Sequence, residues 1–160
     1  MSNWRVLIWL TLAIVAVGAQ VVEAEQDGGA GTLTSQDHDE IRQLYARYAH
    51  TIDTGDAEGW ADTFTVDGVF GNAHGRAALV EFVHTVYKQN QELGRQSRHW
   101  NNQILIEPTA EGATGTCYLV LYNTGATPPA VRLTGVYRDM LVKTPAGWRF
   151  RERVVETDVT

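Results

Sequence analysis

Apolar residues recur at helical spacing near the start of the segment 41–70, IRQLYARYAHTIDTGDAEGWADTFTVDGVF. Four of them occupy positions i, i+4, i+7 and i+11, and so share one face of a helix: Ile41, Tyr45, Tyr48 and Ile52. This spacing predicts a helix over about 36–52 whose stripe faces a core. Asp37 followed by Glu40 resembles a capping box and predicts where the helix begins.

The next residues interrupt this helix and predict two more. Gly55 suits the left-handed position that ends a helix, and Asp56 suits the cap of a shorter helix that runs to about Phe64. Asp67 and Gly68 mark a turn, which a short strand over 69–72 would follow. A third helix is predicted over 76–90, with these residues on its buried face: Leu79, Phe82, Val83 and Val86.

From residue 98 onward the pattern changes to segments rich in β-branched and aromatic residues, divided by turn-forming clusters at 108–112, 125–129 and 144–147. The predicted strands are 98–107, 113–123, 131–143 and 148–157. Their short connections predict an antiparallel meander. Helices first and strands afterwards indicate an α+β domain, in which three N-terminal helices pack on a strongly curved, mostly antiparallel sheet.

The N-terminus has the pattern of a secretory signal. The first segment, residues 1–5, is short and includes the basic residue Arg5. Residues 6–18 follow as an apolar run of about 13 residues without a charge. Such a run is shorter than the roughly 20 residues that cross a bilayer as a helix, which makes a retained anchor the weaker alternative. We expect residues 1–24 to be cleaved after Ala24, and the protein to be periplasmic or extracellular. Residues 25–36 then form a flexible leader and 37–158 the domain.

Composition and charge exclude several classes of partner. The 160 residues are 44% hydrophobic and 20% charged, which fits one globular domain. The formal net charge of −6 and the lack of a Lys/Arg cluster predict no nucleic-acid binding and no stable membrane association after signal cleavage. Cys117 is the only cysteine, so no intramolecular disulfide can form, and a small buried strand residue is favoured over a reactive thiol.

Motifs for metal and cofactor sites are missing from the sequence. It contains no HxH, HExxH or CxxC spacing, no GxSxG, no P-loop and no dinucleotide-binding glycine motif. We therefore expect neither a metal nor a cofactor. Acid–base chemistry by side chains alone, or ligand binding without catalysis, are the two possibilities left.

Two residues of the first helix could contribute to acid–base chemistry. Asp53 is predicted in the last helical turn, where the helix dipole disfavours a carboxylate that lacks a partner. The alternative is that Asp53 only caps the turn. Tyr48 lies on the buried stripe and its hydroxyl needs a hydrogen-bond partner. For Tyr48 the alternative is core packing.

His99 is the third candidate, at the start of the first long strand. Strict alternation places His99 and Asn101 on one face, together with Gln103 and Leu105. A histidine and an asparagine on a covered face are costly unless they are paired. A core histidine with satisfied hydrogen bonds is the alternative.

The last strand carries three arginines at alternate positions. Alternation places Arg153 on the same face as Arg149 and Arg151, opposite Trp148 and Phe150. This parity predicts a row of solvent-facing arginines. The alternative is that Arg153 is a cation in the pocket.

Three segments resemble the SnoaL-like branch of the nuclear transport factor 2-like superfamily. They read ARYAHTIDTGDAEGWADTFTVDGVF, then SRHWNNQILI with TGTCYLVLYN, and finally TGVYRDMLVKTPAGWRFRERVV. Together they span about 37–158. The resemblance implies a cone-shaped α+β barrel in which the helices close one end of a bent sheet around an apolar pocket. It also implies a homodimer formed through the outer face of the sheet.

Within that superfamily the functional pattern is similar to that of the dehydratases, which carry a tyrosine on the first helix, an aspartate at its end and a histidine on the first long strand. Tyr48, Asp53 and His99 match these places. The second histidine of scytalone dehydratase has no counterpart in GTCYLVLY, and the acid pair of ketosteroid isomerase is not recognisable. The resemblance therefore implies dehydratase-like chemistry on a different substrate.

The resulting hypothesis is an exported, cofactor-independent lyase or isomerase that acts on a small apolar hydroxy- or carbonyl compound. His99 would move the proton, Asp53 would hold the imidazole in one tautomer, and Tyr48 would donate to the substrate oxygen. Asn101 would orient the substrate. The candidate pocket walls, which core packing explains equally well, are Trp60, Phe64 and Phe82. The alternative is a non-catalytic module of the same fold that binds a small molecule or another protein.

Overall fold

The computed structural model describes residues 31–158. Its elements, in chain order, are α1 (Ser35–Thr54), α2 (Ala57–Ala61), β1 (Phe64–Phe70), β2 (Ala73–His74), α3 (Gly75–Glu92), β3 (Ser97–Thr109), β4 (Gly112–Asn123), β5 (Ala130–Thr144) and β6 (Gly147–Thr157). The strands form one sheet in the order β2-β1-β6-β5-β4-β3, with only the β1–β6 pair parallel. The helices pack on one face of this curved sheet, which confirms the predicted α+β class. The predicted signal, 1–24, lies outside the described residues.

The start of α1 differs from the prediction. The helix is capped by Thr34, whose Oγ1 accepts a hydrogen bond from the Asp37 backbone N–H at 3.1 Å. The Asp37 carboxylate accepts one from the Thr34 backbone N–H at 2.9 Å. The capping box therefore pairs Thr34 with Asp37, and the box predicted between Asp37 and Glu40 was wrong. Gly55 ends the helix in the predicted left-handed conformation, with φ 76°.

Asp37 also connects α1 to the far end of the sheet. Its Oδ1 accepts hydrogen bonds from Lys143 Nζ on β5 at 2.6 Å and from Trp148 Nε1 on β6 at 2.9 Å. The hydrogen bonds from Lys143, from Thr34 and from Trp148 stabilise the charged carboxylate, and so they lower the pKa of Asp37 well below its ordinary value.

This lowered pKa predicts how stability depends on pH. A carboxyl group whose pKa is lower in the folded state stabilises the fold above its unfolded pKa of about 3.9, and this contribution is lost as the pH falls towards the folded value. We expect Asp37→Asn to unfold at lower urea concentration than the wild type at pH 7. The difference should shrink as the pH falls below about 4. A difference that is the same at pH 7 and pH 3 would contradict the charge-based explanation.

A bulge in β3 exchanges the faces of the strand. Pairing with β4 passes from Asn102↔Tyr118 to Leu105↔Thr116, so β3 contains one extra residue there, and Gln103 takes φ 53°. Beyond the bulge, Ile104 packs against the core, as does Ile106, whereas Leu105 is 57% exposed. The expectation that Gln103 and Leu105 share a face with His99 was therefore wrong.

A second bulge, in β6, has a larger consequence. Leu141 pairs with Phe150 and Met140 with Glu152, so Arg151 is the extra residue. The parity reverses at this point, and Arg153 follows Phe150 into the core with no exposed surface. The predicted row of solvent-facing arginines was wrong for Arg153.

The core lies between the helices and the inner face of the sheet. The stripe predicted for α1 is buried in it, and Cys117 on β4 is buried too, which raises the pKa of its thiol to about 12. The thiol is therefore protonated at neutral pH. In the part of the chain described, no helix has both the length and the apolar character needed to cross a membrane.

Candidate active site

Asp53 and His99 form a two-point contact between α1 and β3. His99 Nδ1 lies 2.6 Å from Asp53 Oδ1, and the His99 backbone N–H donates to Asp53 Oδ2 at 2.9 Å. The Asp53 side chain is only 2% exposed, and the His99 side chain is 10% exposed. Both carboxylate oxygens are therefore used to hold one histidine. With Nδ1–H donating to Asp53, the lone pair of the neutral imidazole is on Nε2.

The chain places both groups here for local reasons. In the part of the chain that the structure describes, β3 is the edge strand of the sheet, so its N–H groups that point away from β4 have no strand partner there. The last turn of α1 carries Asp53 to this edge, where it accepts the N–H of His99. The contact also supplies the partner that a carboxylate at a helix C-terminus needs.

A groove of about 290 Å³ lies between α1 and β3. β3 lines it with His99, Asn101 and Ile104, and α1 lines it with Ala46 and Ala49. The small side chains of the two alanines leave space between the helix and the strand. His99 therefore borders a cavity large enough for a small molecule.

Asn101 is the other polar group at this groove. Its Oδ1 and Nδ2 are both shielded from solvent, and within residues 31–158 neither has a hydrogen-bond partner. A buried amide without partners is costly, so such a group normally meets a ligand or a water molecule. Asn101 lies on the same strand face as His99, and because both polar atoms of its amide are shielded from solvent, the side chain must turn towards the groove to donate through Nδ2 or accept through Oδ1 there.

Tyr48 lies behind His99 and deeper in the core. The two rings meet edge to face, with 6.3 Å between their centroids. The Tyr48 hydroxyl lies 3.4 Å from that of Tyr137, and burial raises the pKa of Tyr48. The structure thus brings His99 and Asn101 to one groove, places Asp53 behind His99 as its hydrogen-bond partner, and directs the Tyr48 hydroxyl towards Tyr137 in the core.

The three aromatic residues predicted as pocket walls pack with one another. Trp60 stacks on Phe82, with 5.5 Å between ring centroids, and lies 4.9 Å from the ring of Phe64. This cluster also contacts Tyr48, at 5.4 Å from Trp60 and 6.1 Å from Phe64. None of the three lines the groove beside His99. Their geometry is that of core packing behind the candidate site.

Arg153 forms the centre of the core. Its Nε and Nη2 donate to the two carboxylate oxygens of Asp139, each at 2.7 Å. Four aromatic rings surround its guanidinium, with centroids 4.0–4.7 Å from Cζ: Tyr45, Tyr48, Tyr137 and Phe150. Burial opposes the charge, but Asp139 raises the pKa of Arg153 well above its ordinary value. The guanidinium of Arg153 therefore keeps its charge in the core.

Sequence reasoning missed this ion pair, although one signal for it was present. Tyr137, Asp139 and Leu141 alternate along β5, so an acidic residue lies on an otherwise apolar face. A buried acid needs a cation. The Tyr45 hydroxyl also donates to Asp139, and Gly115 faces this hydroxyl where any side chain would collide with it.

The described residues offer no ready-made metal site. Within residues 31–158, no group of three or more His, Cys, Asp and Glu side chains is arranged to hold a metal ion.

Comparison with solved structures identifies the class of fold. A protein from Novosphingobium aromaticivorans, described as NTF2-like with a cystatin-like fold, is 28% identical, with a TM-score of 0.66 over 75% of this chain and 80% of its own. Rv3472 of Mycobacterium tuberculosis, described as of unknown function, is 31% identical, with a TM-score of 0.68 over 79% of each chain. The protein thus has the nuclear transport factor 2-like fold.

The family within this class follows from the sequence. Residues 33–154 match the SnoaL-like domain, and the chain belongs to that family. A protein from Catenulispora acidiphila, solved in complex with S-DNPA, is 29% identical, with a TM-score of 0.68 over 78% of this chain and 96% of its own. No protein with a curated description matches the chain.

Proposed function

We propose that the protein is a cofactor-independent lyase or isomerase that acts on a small, mostly apolar hydroxy- or carbonyl compound. The observation that carries this proposal is the two-point contact of Asp53 with His99 at the edge of a groove. A carboxylate on Nδ1 leaves Nε2 as the base, and this arrangement is typical of histidines that transfer protons. The SnoaL-like fold and the ligand-bound relative support a small molecule as substrate.

The proposed reaction begins with removal of a proton from the carbon next to a carbonyl group by His99 Nε2. The electron pair moves to the carbonyl oxygen, and the Asn101 amide donates a hydrogen bond to the developing negative charge. The imidazolium can return its proton to another carbon, which completes an isomerisation. It can instead give the proton to a β-hydroxyl group that leaves as water, which completes a dehydration.

Tyr48 has a positioning role in this proposal. Its ring packs against the edge of His99, while its hydroxyl faces Tyr137 in the core. Direct donation from Tyr48 to the substrate, as the sequence predicts, would need the ligand to enter between these two tyrosines. We therefore assign the donor to Asn101.

The proposal is tested by proton exchange. Wild-type protein is incubated in D₂O with a panel of hydroxyketones and related carbonyl compounds, and NMR follows loss of the proton next to the carbonyl group and formation of new alkene signals. His99→Ala should lose the activity and keep its fold. His84→Ala is the matched control, because His84 is exposed on α3 and does not line the groove.

Two results would reject the catalytic proposal. One is the absence of exchange or dehydration by the wild type across the whole panel, and the other is unchanged activity in His99→Ala. If ligands bound without reacting, the non-catalytic binding module would be the better description. The lack of a second strand histidine in GTCYLVLY favours that alternative.

We further propose that the outer face of the sheet forms a homodimer. Large apolar residues are exposed on this face on four adjacent strands, among them Leu105, Tyr118, Met140 and Val154. Polar residues such as Thr116 and Arg138 lie between them, and exposed apolar groups rimmed by polar residues are typical of interfaces. We expect the wild type to sediment as a dimer, and Tyr118→Lys with Val154→Lys as a monomer. Val66→Lys, at an exposed site on β1, should remain dimeric, and a monomeric wild type at micromolar concentration would contradict the proposal.

We also propose export, with cleavage after Ala24. The support is the apolar run 6–18, which lies outside the described residues. Mass spectrometry of the protein from the periplasmic or extracellular fraction should show a chain that begins at Glu25. An uncleaved chain in the cytoplasmic fraction would contradict this proposal.

A further inference from the structure

The groove beside His99 has a basic rim. Arg42 and His50 line it from α1, and Arg98 lines it from the start of β3. Among the described residues, 31–158, no Asp or Glu lines it. Because the whole chain has a formal net charge of −6, this local excess of positive charge is a property of the groove and does not follow from composition.

Both arginines are available to a ligand. Arg42 contacts Asp39 at 3.2 Å, in a pair whose side chains are 56% and 78% exposed, and an exposed pair of this kind is weak. Arg98 forms no salt bridge within residues 31–158. The Asp53 carboxylate already accepts two hydrogen bonds from His99 and is almost fully buried, so it is not free to pair with the rim.

Below the rim the groove is apolar. Ala46 and Ala49 on α1 face Ile104 on β3 across it. The buried Asn101 amide, which has no hydrogen-bond partner within residues 31–158, adds one polar contact. A ligand that fits this lining has an apolar body with one polar oxygen near Asn101, and a charged end at the rim.

We propose that the groove binds a small, mostly apolar molecule that carries an oxyanion, a carboxylate or a phosphate, which Arg42 and Arg98 hold at the rim. Guanidinium groups match the geometry of both oxyanions. This inference rests on the proposed function for the placement of the substrate beside His99. It narrows the substrate class from hydroxy- and carbonyl compounds in general to those that are also acids.

The test compares probes that share one apolar body. We expect 2-naphthoate or 2-naphthyl phosphate to bind the purified protein about tenfold more tightly than neutral 2-naphthamide at low salt, as measured by calorimetry. The preference should shrink at 0.5 M salt, because exposed charges are screened there. NMR shift changes should map to α1 and to the first half of β3.

Variants identify the groups responsible. Arg42→Gln and Arg98→Gln should each weaken binding of the preferred anion about threefold and leave naphthamide binding unchanged. Arg151→Gln is the control, since Arg151 is an exposed arginine on β6 that does not line the groove. Equal binding of anions and amide by the wild type, no binding of any probe, or full anion binding by both variants would overturn the inference.

The same design separates this inference from the proposed function. His99→Gln should keep the preference for anions, because the base does not determine it. A wild type that prefers anions but catalyses no exchange would leave the inference standing and reject the catalytic proposal. Proton exchange on neutral compounds, without any preference for binding anions, would support the catalytic proposal and reject this inference.

Discussion

Replacement of Arg153 by methionine is expected to lower the free energy of unfolding by about 3–5 kcal/mol. Methionine fills much of the same volume, but among residues 31–158 it leaves the buried Asp139 carboxylate only the Tyr45 hydroxyl as a hydrogen-bond donor. Loss of one partner of a buried ion pair costs this much because the remaining charge has no compensation. Urea unfolding of the wild type and of Arg153→Met at pH 7 measures the difference.

A double variant separates the ion pair from simple packing. Asp139→Leu combined with Arg153→Met removes both charges, so we expect it to be more stable than the sum of the two single effects predicts. The matched control is Arg138→Met, which breaks the exposed Arg138–Glu156 pair on the same two strands and should cost less than about 1 kcal/mol. Additive effects in the double variant would show that the two side chains are not coupled.

Most of the fold could be predicted from local pattern. Helix α1 has an apolar stripe, a recognisable end at Gly55 and a polar opposite face, and the strands are separated by clusters of turn-forming residues. These signals lie within short windows of sequence, so no knowledge of tertiary contacts was needed. Two exceptions are local: Thr34 caps α1 in place of Asp37, and β1 begins at Phe64, where the short second helix was expected to end.

The positions of the strands were easier to predict than which side chains face the core and which face outward. One extra residue at Gln103 and another at Arg151 reverse the parity of everything that follows in β3 and β6. A bulge is defined by the register with a neighbouring strand, which a single segment does not contain. This explains why Gln103 and Leu105 were expected on the face of His99, and why Arg153 was expected in solvent although it is the centre of the core.

The candidate site was predictable in part. Asp53 was a candidate because the dipole disfavours a carboxylate at the C-terminal end of a helix. His99 was a candidate because a histidine on a covered face needs a partner. That they meet depends on β3 being the sheet edge, where the His99 N–H needs a partner. The sequence predicts that Tyr48 is buried, but it could not identify the partner of its hydroxyl, because Tyr137 is 89 positions away in the chain.

Replacement of Asp53 by asparagine is expected to reduce kcat/KM about 10²–10⁴-fold in the proton-exchange assay. Asparagine has nearly the same shape, but its amide can donate as well as accept, so it no longer enforces a proton on Nδ1 of His99. It also lacks the negative charge that stabilises the imidazolium formed during proton transfer. One accepted hydrogen bond can persist, so the free energy of unfolding should fall by only about 0.5–1.5 kcal/mol.

Asp56→Asn provides the matched control for this change. Asp56 accepts a hydrogen bond from the Gly59 backbone N–H as the cap of α2, and asparagine caps helices equally well. The same chemical substitution three positions away should therefore leave both rate and stability unchanged. ¹⁵N NMR of the His99 ring gives a second measurement, because loss of Asp53 should change the proportion of the two tautomers. If Asp53→Asn kept the wild-type rate and the wild-type tautomer, Asp53 would be a structural link between α1 and β3, and His99 would have to be positioned by another group.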